Sequence, residues 1–222
     1  MGPRSTRRGR TLQIAGSAVF GALAWFLAVP LFLRIPFFPL TYLTFDFAEI
    51  PVMFAFLVFG PAAGAISSFV LWGTLSFVGS TGIFGATMKF VAVASSALGL
   101  WLGITLSQRI PRRTGLRGAL LSGLGLALLL RVAAMTAANY VALVIVFPEF
   151  LGFAASLVTN TGLTGGPSPM ASLLAILLFT GIYNVTHVFL SLLPSFFLST
   201  VPSAASAFRS MGEPWIARIS RR

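Results

Sequence analysis

Long apolar segments alternate with short polar ones along the whole chain. A helix needs about 20 apolar residues to cross a bilayer, since each residue adds about 1.5 Å. Residues 47–59 are apolar but short for a full span, and Gly60-Pro61 is predicted to turn the chain after them. The pattern predicts six membrane helices, at Leu12–Leu33, 47–59, 61–78, 83–107, 119–147 and 170–200.

The basic residues give this pattern an orientation. Twelve of the 15 lie in three polar segments, which are the N-terminal segment, the 108–118 loop and the C-terminal segment. Basic segments of membrane proteins face the cytoplasm, and six spans place both termini on one side. The sequence therefore predicts a basic cytoplasmic tail at 1–11, a six-helix membrane domain at 12–200 and a second basic cytoplasmic tail at 201–222. Loops 34–46, 79–82 and 148–169 are predicted to lie outside.

Composition supports an all-α integral membrane protein. Hydrophobic residues make up 57% of the chain and charged residues 9%, and the mean hydropathy is +0.94, whereas soluble domains are about 25% charged. Because the positive-inside pattern accounts for the net charge of +11, no nucleic-acid partner is expected. The absence of Cys and the single His exclude disulfides, thiolate sites and multi-histidine metal sites, so no metal is expected.

Ionisable residues inside a membrane are costly and usually face the protein interior. Lys89 is predicted to face a pocket rather than extend to the membrane surface. Arg131 lies near the middle of its span and is predicted to donate hydrogen bonds to carbonyl groups of other helices.

Amide and imidazole side chains lie on common helix faces. Asn184 and His187 are three residues apart and Met135 and Asn139 four apart, so each pair shares a face. A buried amide needs a partner, and a heteroaromatic ligand with imide and ring-nitrogen groups would supply one. Another helix would supply one equally well, and the residues alone leave both possibilities open.

Two of the four acidic residues, Asp46 and Glu49, lie at the start of the short second segment. Their spacing predicts a capping box, in which both carboxylates bind free backbone N–H groups of the first helical turn. Pro51 fits better at the first helical position than further in, which favours a start at Ile50-Pro51 with both carboxylates in the last loop turn.

Pairs of small residues four apart allow helix backbones to approach closely. Internal packing is the expected role of most such pairs. The sequence contains Ala18 and Ala22, Ala24 and Ala28, Gly60 and Gly64, and Gly99 and Gly103.

Known catalytic signatures are missing from the sequence. It contains no G-x-S-x-G, no H-E-x-x-H and no phosphate-binding G-x-x-x-x-G-K-[ST]. The chain is therefore predicted not to be an enzyme and to have no ATPase of its own. An intramembrane enzyme that uses His187, and a structural membrane protein without a ligand, are the alternatives from other classes.

Three segments resemble the S components of energy-coupling-factor (ECF) transporters. YLTFDFAEIPVMFAFLVFGPAAGAISSFV (42–70) matches their Asp, Ile-Pro and Gly-Pro-x-x-Gly positions, and its D-F-x-x-I-P form is most similar to the riboflavin-specific type. RVAAMTAANYVAL (131–143) is similar to their R-x-x-x-M-x-x-x-N segment. GIYNVTHVFLSLL (181–193) resembles their last-span segment, in which a Lys follows the Asn by three residues.

The resemblance implies a vitamin-binding subunit of a prokaryotic plasma-membrane importer. Loop 34–46 would be a lid over an outward-facing pocket, and a transmembrane coupling protein with two ATPase subunits would supply the energy. Ala18 and Ala22 match the small-residue pattern that contacts the coupling protein in this family. The predicted ligand contacts are Asn139, Asn184, His187, Lys89, Tyr42 and Asp46.

Riboflavin is the ligand that the resemblance favours, as cargo rather than as a cofactor. Two positions depart from the family, because His187 replaces its usual Lys and Lys89 replaces a frequent Asn. Thiamine, biotin, pantothenate or a queuosine precursor are therefore alternative ligands.

Overall fold

Helices dominate the computed structural model, which describes residues 3–29, 33–79, 82–109, 115–162, 168–201 and 214–219. Two short strands form a hairpin between the first two helices, and the fifth helix continues into a π-helical turn, Ala142–Val146. The helices are α1 (Pro3–Ala28), α2 (Glu49–Phe59), α3 (Pro61–Val78), α4 (Gly82–Ser107), α5 (Gly115–Val141), α6 (Pro148–Thr159), α7 (Pro169–Thr200) and α8 (Trp215–Ile219).

Four of these helices are long and apolar enough to cross a membrane: α3, α4, α5 with its π-helical turn, and α7. The apolar part of α1, Gln13–Ala28, and the whole of α2 are shorter. The described chain is thus a helical, multi-pass membrane protein, as its hydropathy predicts. The total of six spans and the cytoplasmic location of both termini stay predictions.

The two predicted tails are only partly described. Helix α1 begins at Pro3, so it includes most of the predicted tail at 1–11. Of the predicted tail at 201–222, the structure describes Val201 and 214–219. The remaining tail residues, and residues 110–114 of the basic loop, lie outside the described residues.

Helix α8 packs against the corner between α2 and α3. The ring of Trp215 lies edge-on to Phe56, with ring centroids 5.3 Å apart, and Ile216 is buried. Gly60 forms the corner with a φ of 103°, a conformation that glycine adopts without strain, and Trp215 lies against it. The predicted turn at Gly60-Pro61 is confirmed, whereas the packing of the last described segment on this turn has no signal in the sequence.

The loop predicted at 148–169 contains a helix, so that prediction is wrong for its first half. Pro148 begins α6, in agreement with the preference of proline for the first helical position. Leu151, Ala154 and Val158 recur at helical spacing, and the latter two are fully buried. This short apolar stripe, beside the exposed Phe150 and Phe153, is typical of an amphipathic helix.

Small residues bring α4 and α5 into close contact. A Cβ atom on Gly99 would lie 2.4 Å from the carbonyl oxygen of Leu126, and one on Gly103 would lie 2.2 Å from that of Ser122. Both distances are shorter than real Cβ contacts, so only glycine permits this approach. The expected internal role of the Gly99 and Gly103 pair is confirmed.

Helix α1 presents two alanine pairs on different faces. Ala24 and Ala28 are buried against the core, as expected for internal packing. Ala18 and Ala22 are exposed on the opposite side, next to the exposed Val19. The first pair therefore stabilises the bundle, while the second remains free to meet another surface.

The hairpin covers one end of the bundle. Its strands β1 (Ile35–Pro36) and β2 (Thr44–Phe45) pair antiparallel, with Ile35 opposite Phe45. Leu40 between them is fully buried in a cluster with Val158 of α6 and Ile176 of α7. This packing fixes the hairpin above the ends of α5 and α7, where a cavity lies.

Candidate functional site

A cavity of about 490 Å³ lies beneath the hairpin and is lined mainly by α4, α5 and α7. Its size falls within the range of about 300–1,000 Å³ found for small-molecule sites. It lies at the end of the bundle that carries the three loops predicted to be outside. All six predicted ligand contacts line it, namely Tyr42, Asp46, Lys89, Asn139, Asn184 and His187. Their role in binding stays a prediction.

A fully buried ion pair forms the floor of the cavity. Nη1 of Arg131 donates to Oε2 of Glu49 at 2.5 Å, and Nη2 donates to Oε1 at 2.9 Å. Arg131 is 1% exposed and Glu49 not at all. Planar guanidinium and carboxylate groups match each other in this two-pronged geometry, which is the arrangement best able to offset the cost of burying both charges.

Two further side chains complete the coordination of Arg131. Its Nε donates to Oδ1 of Asn184 at 2.9 Å, and Nη1 also donates to the Ser96 hydroxyl at 3.2 Å. Glu49, Ser96, Arg131 and Asn184 lie on α2, α4, α5 and α7 respectively. The guanidinium therefore ties four helices together directly beneath the cavity.

These contacts correct two sequence predictions. Arg131 pairs with a carboxylate, an amide and a hydroxyl rather than with backbone carbonyls. Glu49 is the first residue of α2 and points to Arg131, and the N-cap is Ala48, without a side-chain cap. The predicted capping box is therefore wrong, because a buried arginine is a stronger partner for Glu49 than backbone N–H groups.

Asp46 and Lys89 form a second ion pair on the cavity wall. Oδ2 of Asp46 accepts from the Lys89 ammonium, and Oδ1 accepts from the backbone N–H of Ala48 at 3.0 Å. Asp46 thus joins the end of the hairpin to α4 and also fixes the turn that leads into α2. Lys89 lines the cavity as predicted, and its side chain is 17% exposed.

Tyr183 and His187 connect α7 to the hairpin. The Tyr183 hydroxyl donates to the carbonyl oxygen of Thr44 at 2.7 Å and lies 3.0 Å from Nδ1 of His187. Nε2 of His187 lies 3.4 Å from Oε1 of Glu49. The Tyr183 ring also stacks on Phe45, with centroids 4.8 Å apart. His187 therefore lies between the hairpin contact and the buried ion pair.

The two ring nitrogens of His187 lie beside the Tyr183 hydroxyl and the Glu49 carboxylate. Among the described residues, no serine hydroxyl forms a hydrogen bond to the imidazole. The alternative of an intramembrane enzyme that uses a serine with His187 finds no support in this geometry. No group of three or more His, Asp and Glu side chains in the described ranges has the geometry to hold a metal ion.

The two predicted asparagines differ in what remains free for a ligand. In Asn184, Oδ1 accepts from Arg131 and Nδ2 donates to the carbonyl of Thr180 at 2.8 Å. In Asn139, Nδ2 donates to the carbonyl of Met135 at 2.8 Å, while Oδ1 has no partner among the described residues. Asn139 therefore offers a free acceptor to the cavity, whereas Asn184 mainly holds Arg131.

Tyr42 brings a second polar group to the cavity from the hairpin. Its hydroxyl is buried and has no hydrogen-bond partner in the part of the chain that the structure describes. Burial raises the pKa of the Tyr42 phenol to about 12, so the hydroxyl keeps its proton at physiological pH. An unpaired buried hydroxyl costs about 1–3 kcal/mol, which makes it a natural contact for a ligand.

Aromatic rings form the apolar side of the cavity. Phe84 of α4 lies edge-on to Phe147, with centroids 4.8 Å apart, and Tyr42 lies edge-on to Phe150 at 5.2 Å. Phe84, Phe147 and Phe150 all line the cavity. A ligand here would meet aromatic rings on one side and charged or amide groups on the other.

Sequence reasoning missed Tyr183 and Phe150 as cavity residues. Tyr183 is four residues before His187, so the helical spacing that pairs Asn184 with His187 also places Tyr183 on that side of α7. Phe150 had no such signal, because its segment was predicted to be a loop.

Comparison with known proteins gives a match in structure alone. No protein-family model and no curated protein sequence matches the chain. A solved structure described as the S component of a bacterial ECF transporter matches it with a TM-score of 0.61 at 20% sequence identity, over 85% of this chain and 94% of that one. The structural match establishes a shared fold, and at 20% identity it establishes nothing further. The shared fold agrees with the fold that the sequence segments suggest.

Proposed function

We propose that this chain is the substrate-binding membrane subunit of an ECF-type vitamin importer, with riboflavin as its transported ligand. One observation carries the proposal: the six side chains chosen from the sequence line a single cavity of ligand size. The fold shared with the S component of a bacterial ECF transporter supports the same function.

The charge balance of the cavity favours an uncharged ligand. Three basic and three acidic side chains line it, and Asp46 with Lys89 and Glu49 with Arg131 form ion pairs. A buried ligand charge would need a counter-charge that these pairs already use, and the other two charged lining residues, Arg34 and Glu149, have opposite signs, so the cavity lining favours neither a cation nor an anion. Biotin and pantothenate carry a carboxylate and thiamine a cationic ring, whereas riboflavin is neutral.

Riboflavin also fits the distribution of polar and apolar groups. Its planar ring system would pack against the rings of Phe84 and Phe150, since aromatic pairs are favourable in both stacked and edge-to-face arrangements. The free Oδ1 of Asn139 would accept from the imide N–H of the ring, and the Tyr42 hydroxyl would bond a carbonyl or ribityl oxygen. These two groups would otherwise remain unpaired.

In this proposal the hairpin is a lid over ligand that enters from outside. Transport would follow when the coupling protein and its two ATPases reorient the subunit in the membrane. The exposed face of Ala18 and Ala22 would contact the coupling protein, because small side chains permit close helix approach.

Quenching of riboflavin fluorescence by the purified chain in lipid nanodiscs tests this function. We expect saturable quenching that equal concentrations of biotin, pantothenate or thiamine leave unchanged. Protein purified from cells is also expected to be yellow. Colourless protein that fails to quench would refute the riboflavin assignment, and binding of one of the other vitamins would redirect it.

A further inference from the structure

The single imidazole of the chain lies between the Tyr183 hydroxyl and the Glu49 carboxylate. When the Tyr183 hydroxyl donates to Thr44, both of these oxygen atoms can only accept a hydrogen from the imidazole. The Tyr183 hydroxyl has one hydrogen, and the Thr44 carbonyl 2.7 Å away can only accept. While Tyr183 donates to Thr44, its oxygen can meet Nδ1 of His187 at 3.0 Å only as an acceptor. This arrangement requires a hydrogen on Nδ1.

The other ring nitrogen faces an acceptor as well. Nε2 is buried without a hydrogen-bond partner among the described residues and lies 3.4 Å from Oε1 of Glu49, and the two-pronged pairing with Arg131 keeps this carboxylate ionised. A favourable contact here requires a hydrogen on Nε2. Neutral imidazole carries a hydrogen on only one nitrogen, so it satisfies only one of the two neighbours.

Each neutral tautomer therefore loses one contact. With the hydrogen on Nδ1, the lone pair of Nε2 points at the Glu49 carboxylate. With the hydrogen on Nε2, Nδ1 becomes an acceptor and competes with the Thr44 carbonyl for the hydrogen of Tyr183. In the second case the bond between α7 and β2 is weakened.

We propose that His187 is a proton-binding site whose occupation fastens the hairpin to α7. The imidazolium forms an ion pair with Glu49 through Nε2 and donates from Nδ1 to Tyr183, which leaves the Tyr183 hydrogen to Thr44. Proton uptake thus completes a continuous chain of favourable contacts from the buried carboxylate to the hairpin backbone.

Charged groups on every neighbouring element act on this site. Glu49 of α2 and Asp46 at the hairpin exit favour the added positive charge, while Lys89 of α4 and Arg131 of α5 oppose it. The four charges balance, so the proton adds one net charge beneath the cavity. The direct contact with Glu49 is the specific compensation for that charge.

The hydrogen bond from Tyr183 to Thr44 is one of several attachments of the hairpin, and it is the one that the protonation state of His187 affects. The strands are two residues long, and Phe45 of β2 stacks on the Tyr183 ring. That stack, the burial of Leu40, the Asp46–Lys89 pair and the contact of Tyr42 with Phe150 remain when the Thr44 contact is lost, so the change in hairpin stability is that of about one hydrogen bond. The role of the hairpin as a lid rests on the proposed function, whereas the proton site itself does not.

A ligand-free experiment tests the proposal. Because the chain has one histidine, isotope-labelled histidine gives one set of imidazole signals in nanodiscs. We would titrate it from about pH 3 to about pH 8.5 by NMR, because burial disfavours the imidazolium, and measure amide hydrogen exchange of residues 35–45, corrected for the intrinsic pH dependence. We expect hairpin protection to rise about 5- to 10-fold as the imidazolium forms, the effect of about one hydrogen bond.

Two variants identify the route of the effect. Tyr183→Phe keeps the ring that stacks on Phe45 but removes the hydroxyl, so protection should become low and independent of His187 protonation. His187→Gln should remove the pH response as well. Tyr140→Phe, at an exposed tyrosine of α5, is the matched control and should behave as the unchanged protein.

Three outcomes would overturn the proposal. The first is that the imidazole keeps one protonation state across the pH range. The second is that hydrogen-exchange protection of the hairpin does not follow the titration of His187. The third is that the Tyr183→Phe variant keeps the pH-dependent change in protection. Riboflavin is absent from these experiments, so the NMR and hydrogen-exchange results do not depend on riboflavin binding. A failure to bind riboflavin would refute the proposed function alone.

Discussion

The carboxylate of Glu49 accepts two hydrogen bonds from the guanidinium of Arg131, at 2.5 and 2.9 Å, although 82 positions separate the two residues in the chain. This pair joins the short α2 to the long α5, and Asn184 and Ser96 extend it to α7 and α4. The cavity floor is thus built from an interaction that is local in space and remote in sequence.

Removal of one partner of this pair should strongly destabilise the fold. Glu49→Ala leaves a buried, uncompensated arginine, so we expect a loss of about 3–5 kcal/mol in the free energy of unfolding. The double variant Glu49→Leu/Arg131→Met should recover much of that loss, because neither charge remains. Denaturant unfolding in mixed micelles measures both. Glu149→Ala, at an exposed glutamate, is the control, and a Glu49→Ala protein as stable as this control would contradict the prediction.

The two cavity asparagines should respond differently to replacement by leucine. Asn139→Leu removes a free acceptor, so riboflavin affinity should fall about 5- to 100-fold with little change in stability. Asn184→Leu removes a partner of Arg131 and should lower stability as well as affinity. Fluorescence titration and unfolding separate the two effects. Asn160→Leu, at an exposed amide after α6, should change neither; unchanged affinity in both cavity variants would refute the binding role.

Tyr42→Phe should change affinity without loss of stability. The hydroxyl has no protein partner among the described residues, so its removal should leave the ligand-free stability unchanged or raise it by about 1 kcal/mol. Riboflavin affinity should fall if the ligand is the missing partner. Because burial raises the pKa of Tyr42 to about 12, the difference in affinity should be constant between about pH 6 and pH 9. A stability loss above about 1 kcal/mol would instead indicate a structural hydrogen bond.

Close packing between α4 and α5 should make Gly103 intolerant of substitution. Gly103→Ala places a methyl group 2.2 Å from the Ser122 carbonyl oxygen, so the helices must separate, at a cost of about 1–3 kcal/mol. Gly125→Ala, at a position of α5 with no atom within 4 Å, should stabilise the helix by about 0.5–1 kcal/mol. Opposite shifts in melting temperature are expected, and equal shifts would show that the contact is looser than described.

The exposed alanines of α1 should matter for assembly rather than for folding. Ala18→Leu/Ala22→Leu adds bulk to an outward face, so stability and riboflavin affinity should be preserved. Co-purification with a co-expressed coupling protein and its ATPases should be lost. The same change at Ala133 and Ala137, an exposed pair with the same spacing on α5, controls for added bulk in the membrane. Equal recovery of the complex with both variants would place the interface elsewhere.

Hydropathy predicted the described helices well because apolar runs and helix-breaking residues are local signals. The α2 to α3 corner at Gly60-Pro61 lies where the sequence predicts it. Helix α6 escaped notice because its apolar stripe is only three residues long and lies beside exposed phenylalanines. A short amphipathic segment in a chain this hydrophobic gives little contrast to a loop.

The site was predictable as a set of side chains but not as a set of contacts. Depth in the membrane singled out Lys89, Arg131 and His187, since ionisable groups there are costly. Their partners could not be assigned, because Glu49 reaches Arg131 only after α2 and α5 have packed together. The local spacing of Asp46 and Glu49 suggested capping instead, but Glu49 pairs with Arg131, and Asp46 binds Lys89 in addition to the backbone N–H of Ala48.

The length of α2 has a consequence for how the protein enters its membrane. Eleven residues extend about 16 Å, roughly half of a hydrocarbon layer, and the segment begins with a glutamate. Such a segment partitions poorly into lipid by itself. We expect the insertion machinery to hold α2 in a sheltered position until α5 has emerged, so that Glu49 enters the bilayer already paired with Arg131.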